Sequence, residues 1–424
     1  LERIKVGSYG SKAEEATPTP PVDLCQGLIT DKDPHPMTAL AKPAAGSFVI
    51  DPQFGTKIYR VSDVGSSGTI KNVYSPTQAW NSDETYLLLW HRGHGYYHLH
   101  NGRTYAFIKE FGLNAADLEQ INWSANDPNI IFYPKNGTKE IHKYNVVTDQ
   151  DSIVHTFSSC AGGISFESHN FRAWDGNIFG VGCDSRAFVY DADIDTVLGE
   201  KNDNGGIPRV APSGTLTLRW TSVTDSAMNL VRTLTGSNPG EHSSLGRLAN
   251  GHDTFNGVQF DEAPNGSLVT WDLTTGQPRL IYGPGNGWPY PPSGTHISAV
   301  AFYAPGWVGV SHIGYQANGQ AVLDNELVLA NTNDGTVCRV AHHRSTARAS
   351  GQGYFAEPHV VISPSGTRMV FGSNWGGGDS VDTYVVELPA YTDGPIVTPT
   401  PTPSGSGTPT PPTHATPTST VTVP

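Results

Sequence analysis

Five polar residues have the types needed for a reactive site, and they recur at intervals of roughly 30 to 60 residues. They are four histidines and one arginine: His169, Arg209, His242, His296 and His359. Neutral imidazoles that converge on one point can bind a divalent metal ion, and an imidazole with a near-neutral pKa can take a proton from carbon next to a carboxylate. An arginine can hold that carboxylate through two parallel hydrogen bonds. These residue types therefore favour metal-assisted proton abstraction, provided that the fold brings them together.

A repeated pattern in the sequence predicts such a fold. A turn rich in Gly, Pro, Asn or Asp precedes an apolar strand seven times, as at residues 81–83 before TYLLLW and at 364–366 before TRMVFG. The repeats start roughly 40 to 60 residues apart, which is typical of four-stranded units. From residue 54 to residue 388 the chain has many short β-branched and aromatic segments and no helical stretch of three turns. This pattern indicates an all-β body.

The last repeat lacks a fourth strand, whereas residues 56–63, TKIYRVSD, belong to no repeat. We predict that this early strand lies beside Tyr384 and completes the last unit, which removes two open sheet edges. The fold class is thus all-β, a seven-bladed β-propeller at residues 54–391 that is closed by an N-terminal strand. An arm and linker at 1–53 precede it, and a stalk at 392–424 follows it. Two packed β-sandwiches are the alternative architecture.

The innermost strand of each propeller blade lines the central channel, so residues that open these strands share one mouth. Alignment from the turns puts the five residues there, with Glu119 or Gln120 and Thr77 or Gln78 in the same zone. The arrangement resembles propeller-fold polysaccharide lyases such as the oligogalacturonate lyases, and the segment HVVISPSGTRMVFGSNWG is similar to their last-blade pattern. The resemblance implies β-elimination on a uronate chain. The catalytic residues that it implies are His242, His296, His359, Arg209 and His169. Three of these, His242, His296 and His359, are the implied ligands of a divalent metal ion. The alternative is a solvated, polar channel mouth whose histidines only donate hydrogen bonds to backbone carbonyl groups.

Other side chains offer further chemistry. In the run HRGHGYYHLHNG, His98 and His100 point to the same face of a strand, which can chelate a metal, although an ordinary exposed β surface is the alternative. Two of the residues Asp253, Asp261 and Glu262 could act as the acid pair of a glycosidase. The side chains of Trp288, Trp307 and Trp375 could stack on the sugar rings of a bound carbohydrate. Surface acids on turns and packing between blades are the respective alternatives.

The charge and the cysteine content limit the partners and the cellular compartment that can be expected for the protein. With 26 Lys and Arg against 39 Asp and Glu, the net charge of −13 repels phosphate backbones, so nucleic acid is not an expected partner. No run of 18 apolar residues occurs, so no membrane span is expected, and any signal peptide is expected to have been removed. The four cysteines lack C-x-x-C spacing and predict two disulfides in an oxidising compartment, with the pairing open and four buried thiols as the alternative.

The chain ends suggest assembly. The stalk alternates Thr with Pro, which is typical of O-glycosylated segments, and the expected sugar sites are Thr398, Thr400, Thr402, Thr408 and Thr410. Residues 3–9 and 419–424 alternate like strands and could add to a neighbour's sheet edge. The first functional hypothesis is therefore a secreted structural or adhesive glycoprotein whose copies join head-to-tail through terminal arms and which carries covalent or bound glycans. The second is a secreted polysaccharide lyase-like enzyme.

Overall fold

The computed structural model describes residues 23–167, 171–239, 241–260, 263–289, 295–314, 317–346 and 353–392. Within them the chain forms short strands and two 3₁₀ turns, Pro284–Asn286 and Gly353–Ala356. None of the helical segments in these ranges has the length and apolar character that crossing a membrane requires.

The strands are numbered in chain order. The first six, β1 to β6, are Phe48–Ile50, Lys57–Arg60, Ser67–Lys71, Tyr86–His91, Tyr96–Asn101 and Phe107–Gly112. The next eight, β7 to β14, are Asn122–Trp123, Ile130–Pro134, Glu140–Asn145, Gln150–Thr156, Ser165–Phe166, Ile178–Cys183, Arg186–Asp191 and Thr196–Asn202. Strands β15 to β22 are Arg209–Val210, Leu216–Arg219, Ser222–Asp225, Leu230–Thr233, Ser243–Arg247, Asp253–Gln259, Ser267–Asp272 and Pro278–Tyr282. Strands β23 to β29 are His296–Ser298, Trp307–Ser311, Glu326–Asn331, Val337–His342, Val361–Ile362, Arg368–Ser373 and Asp379–Glu387.

These strands form an all-β propeller. Five separate sheets of the described chain contain four strands each in consecutive order, namely β7–β10, β11–β14, β15–β18, β19–β22 and β23–β26. A nine-stranded sheet contains the first unit, β3–β6, together with the last unit, β27–β28–β29–β2, and β1 lies beyond β2. The short first strand of each sheet is its innermost one, and β19, β23 and β27 contact one another in turn.

The predicted closure by an early strand is confirmed. Strand β2 pairs antiparallel with β29, and Arg60 lies opposite Tyr384. The start of β29 also pairs parallel with β3, so that Asp379 faces Ser67 and the two ends of the ring share one sheet. Because β29 is hydrogen-bonded on both sides, its edge is not available to another chain.

Apolar side chains fill the space between adjacent sheets. The largest cluster joins the last, first and sixth units and includes fully buried Trp80, Phe371 and Tyr384. Glycines allow the closest approach of two sheets: a Cβ atom at Gly180 of β12 would lie 1.8 Å from the carbonyl oxygen of Pro208. This contact fixes the segment that leads into β15, which carries Arg209.

Two disulfides are present, as predicted, and they join Cys25 to Cys338 and Cys160 to Cys183. The first ties the segment before β1 to β26, where Ile29 also forms a β-bridge with Arg339. The second spans the neighbouring second and third units. No free cysteine occurs among the described residues.

We expect the two disulfides to differ in their contribution to stability. The Cys25–Cys338 pair closes a loop of 313 residues and the Cys160–Cys183 pair a loop of 23, and longer loops lose more entropy on crosslinking. Cys25→Ser/Cys338→Ser should lower the free energy of unfolding by about 6 kcal/mol and Cys160→Ser/Cys183→Ser by about 3 kcal/mol, from loop closure alone. Urea unfolding measures both values. An equal or reversed order would show that local packing, not loop closure, determines the effect.

Candidate active site

Three of the histidines predicted from the sequence meet at one mouth of the channel. His242 directly precedes β19, His296 opens β23, and His359 lies two residues before β27, so each lies at or just before the start of the innermost strand of its unit. The rings of His242 and His296 are stacked with centroids 4.0 Å apart, and those of His296 and His359 are 4.3 Å apart. His296 and His359 are almost fully buried, and His242 is partly exposed.

A carboxylate that the sequence analysis did not select completes this cluster. Oε2 of Glu357 lies 3.6 Å from Nε2 of His359 and 3.8 Å from Nε2 of His296. The ligand atoms of these three residues all lie within 4.8 Å of one another, so they form one potential metal-binding group. Burial, with Lys71 and the neighbouring histidines, holds the pKa of His359 well below its usual range, which keeps its imidazole neutral.

His242 has a different hydrogen-bonding role. Its Nδ1 lies 2.5 Å from the backbone carbonyl oxygen of Thr295. Because a carbonyl oxygen can only accept a hydrogen bond, Nδ1 carries the proton and the lone pair of the neutral ring is on Nε2. The residue thus has the tautomer that a general base requires.

Lys71 lies behind the histidines at the end of β3. Its Nζ donates to the carbonyl oxygens of Glu357 at 2.5 Å and Phe355 at 3.3 Å, and it lies 3.1 Å from Nδ1 of His359. Burial lowers the pKa of Lys71 to about 7, although the charges of Glu357 and Glu119 oppose this. Lys71 therefore holds the segment that carries Glu357 and orients the ring of His359.

Tyrosine side chains cover the other side of the cluster. Tyr74 contacts His296 and His359 with centroid distances of 5.4 and 5.0 Å, and Tyr354 lies 4.6 Å from His359. The two hydroxyls share a hydrogen bond, and burial raises the pKa of both, so both stay protonated. The tyrosines supply O–H groups at the rim of the site.

Arg209, at the start of β15, lies one strand away from the histidines. Its Nε donates to Glu167 at 3.0 Å, and its Nη1 donates to the carbonyl oxygen of Pro239 and contacts Ser243, the neighbour of His242. Its Nη2 has no hydrogen-bond partner among the described residues. Arg209 thus has one donor group left for a ligand.

A cleft of about 350 Å³ opens at Arg209 and Glu167. Its wall includes Ile207 and Trp220, and the Trp220 side chain is 70% exposed. An exposed indole beside a charged pair can stack on a sugar ring. Deeper in the channel, by contrast, a cavity lined by Trp123, Phe171 and other residues measures about 20 Å³, which is enough for a single water molecule.

Some predictions made from the sequence are corrected. Gln78 does not join the histidines, because it donates to the carbonyls of Val300 and Ile362 further along the channel, and Lys71 and Tyr74 contact the histidines instead. Trp288 and Trp307 are 5% exposed and pack in the core, so they offer no stacking face.

Two other residues selected from the sequence, Trp375 and Asp253, make structural contacts. Trp375 stacks on Tyr384, and buried Asp253 accepts hydrogen bonds from the turn at Ser213. Several predicted sites lie outside the described residues: His169, Asp261, Glu262 and the stalk threonines Thr398, Thr400, Thr402, Thr408 and Thr410.

The fold has solved relatives. No protein-family model and no curated protein sequence matches the chain. An oligogalacturonate lyase in complex with manganese has a TM-score of 0.55 at 16% identity, over 81% of this chain and 96% of that one. An oligogalacturonate lyase from Vibrio parahaemolyticus has a TM-score of 0.56 at 14% identity over the same shares. At this identity the likeness shows the propeller fold alone, and it supports the distant resemblance inferred from the sequence.

Proposed function

We propose that the protein is a metal-dependent lyase that cleaves a uronate-containing glycan by β-elimination. The observation that carries the proposal is the meeting of His242, with its lone pair on Nε2, and the group of His296, Glu357 and His359. The likeness to propellers that are lyases is consistent with it but shows only the fold.

The residues fit a divalent cation. Two neutral imidazoles and one carboxylate are a common donor set for first-row metals, and their ligand atoms lie close enough to share one ion. Nε2 of His359 makes no hydrogen bond within the described part of the chain. Its lone pair is available to a cation in the tautomer whose Nδ1–H donates to Lys71, and that tautomer requires Lys71 to be the neutral amine. A cation at this place supplies Lewis-acid stabilisation of the negative charge that develops on the uronate carboxylate during proton removal.

The protein's own groups perform the remaining steps. Nε2 of His242 takes the proton from C5 of the uronate, the electron pair forms the C4=C5 double bond, and the C4–O bond to the next sugar breaks. The leaving oxygen takes up a proton, for which the hydroxyls of Tyr74 and Tyr354 are protonated donors in the described site. Arg209 lies where its Nη2 can bind a carboxylate, and Trp220 offers a face for an adjoining sugar.

The test uses the full chain and a panel of polymers: polygalacturonate, alginate and glucuronan, with neutral glucan and galactan as controls. We expect ultraviolet absorbance from an unsaturated uronate product on at least one acidic polymer and on neither neutral one. Chelation should remove the activity, and addition of Mn²⁺ should restore it. If no acidic polymer yields an unsaturated product with any of Mn²⁺, Ca²⁺ or Zn²⁺ present, the proposal is wrong.

The hypothesis of a structural glycoprotein rests on the terminal arms and the stalk. Residues 1–22 and 393–424 lie outside the described residues. Head-to-tail assembly, glycan attachment and a secreted location therefore stay predictions. Their test is the oligomeric state of the full chain compared with chains that lack residues 1–20 or 396–424.

A further inference from the structure

A second cluster of metal-ligating side chains lies on the outer part of the first unit, away from the central histidines. His91 ends β4, His98 lies in β5, and Glu110 lies in β6. His98 faces Glu110 directly across β5 and β6, whereas His91 pairs with Tyr96, two residues before His98. Because side chains two residues apart share a face of a strand, all three groups project from the same side of the sheet.

Their ligand atoms are spaced as zinc requires. Nδ1 of His91 lies 3.2 Å from Nε2 of His98 and 3.7 Å from Oε2 of Glu110, and Nε2 of His98 lies 2.9 Å from the same oxygen. In a tetrahedral zinc site with bonds of about 2.0–2.1 Å, neighbouring ligand atoms are about 3.3 Å apart. The three atoms thus form nearly one face of such a tetrahedron.

Hydrogen bonds among the three side chains cannot satisfy all of their ligand atoms at once. Nε2 of His98 can carry one hydrogen, yet it faces both a carboxylate oxygen and the nitrogen of a second imidazole. Side-chain exposures of 18% for His91, 13% for His98 and 40% for Glu110 leave an open fourth side for water.

We infer that His91, His98 and Glu110 form a zinc site that is independent of the central site. Two imidazoles and one carboxylate are a donor set that zinc favours, and its open position can accept water. The pairing expected from the sequence is corrected here: His100 does not join His98, because Nδ1 of His100 donates to the carbonyl oxygen of Tyr105 and its ring is buried.

The bound zinc would fix the hairpin between β4 and β5. At the tip of this hairpin, the guanidinium of Arg92 lies 3.6 Å from the ring centroid of Phe355, the neighbour of Tyr354 at the rim of the central site. The metal therefore has a structural role in holding one wall of the channel mouth.

Zinc titration of the full, metal-stripped chain by calorimetry tests the inference. We expect His98→Gln and Glu110→Gln each to remove one zinc equivalent or to weaken it at least about 100-fold, since even residues that only orient ligands cost 10–100-fold. His296→Gln should leave this equivalent intact, so the result does not depend on the proposed lyase activity. His155→Gln is the matched control, because His155 pairs with Asp195 at 2.7 Å but belongs to none of the metal-ligating groups of the described chain.

Three further measurements test the folding of the variants, the geometry of the metal site and the effect of zinc on the hairpin. Melting temperatures of all variants in chelator should agree with that of the wild type, and Co²⁺ should give intense visible bands typical of a tetrahedral site that His98→Gln abolishes. Hydrogen exchange of the amides at residues 92–95 should slow when zinc is added. Unchanged zinc stoichiometry and affinity in both His98→Gln and Glu110→Gln would overturn the inference.

Discussion

His242→Gln is expected to lower kcat on the cleaved glycan by a factor of about 10²–10⁴, the usual contribution of a positioned general base. The physical reason is the tautomer of His242, whose Nδ1–H is committed to the carbonyl oxygen of Thr295 and whose Nε2 therefore carries the basic lone pair. The glutamine amide can still donate to Thr295 but cannot accept a proton. Initial rates from the ultraviolet absorbance of the product give kcat and KM separately.

The control for this variant is His252→Gln in the same unit. Nδ1 of His252 bonds to Asp272 at 2.8 Å, and its side chain is 35% exposed, so the substitution changes the same residue type away from the channel. We expect wild-type kcat for His252→Gln and a nearly unchanged KM for His242→Gln. If His242→Gln keeps more than about a tenth of the wild-type kcat, another group removes the proton.

The sequence was most informative about the propeller as a whole. Repeated turns before apolar strands predicted the four-stranded sheets, and the orphan strand at residues 56–63 predicted a strand beside Tyr384, where the structure places Arg60. Both inferences rest on local alternation and on the energetic cost of an open sheet edge, which are legible along the chain. The convergence of His242, His296 and His359 followed from the same repeat, because each residue opens or precedes an innermost strand.

The residues that were missed depend on spacing inside a repeat. In the first unit β3 ends at Lys71, and a long connection through Gln78 follows before β4, so alignment from the turn selected the wrong positions. Glu357 had a readable signal, since it stands two residues before His359 in EPH and residues at this spacing in extended chain share a side. The partner of His98 had none, because His91 reaches it across strands and not along one.

A buried ion pair joins the last unit of the ring to the first. Arg368 of β28 donates from Nη2 to Glu84, whose residue lies in the turn before β4, and both side chains are 1% exposed. Nη1 of Arg368 also donates to the carbonyl oxygen of Gly102, and the guanidinium lies 5.1 Å from the ring centroid of Trp80. The other carboxylate oxygen of Glu84 accepts from the backbone N–H of Ser365. Each member of the pair thus satisfies buried groups on both sides of the closure.

Arg368→Met should lower the free energy of unfolding by about 3–5 kcal/mol, because it leaves the carboxylate of Glu84 buried without its cation. Adding Glu84→Gln to this variant should recover part of the loss, since a neutral amide costs less to bury than an isolated charge. Arg186→Met is the control: its partner Glu200 is 39% exposed and Arg186 itself is 31% exposed, so the loss should stay near 1 kcal/mol or less. Urea unfolding followed by tryptophan fluorescence measures all three variants. A loss of under 1 kcal/mol for Arg368→Met would mean that strand pairing between β2 and β29 closes the ring without help from this pair. A double variant less stable than the single one would mean that the loss does not come from the isolated charge of Glu84.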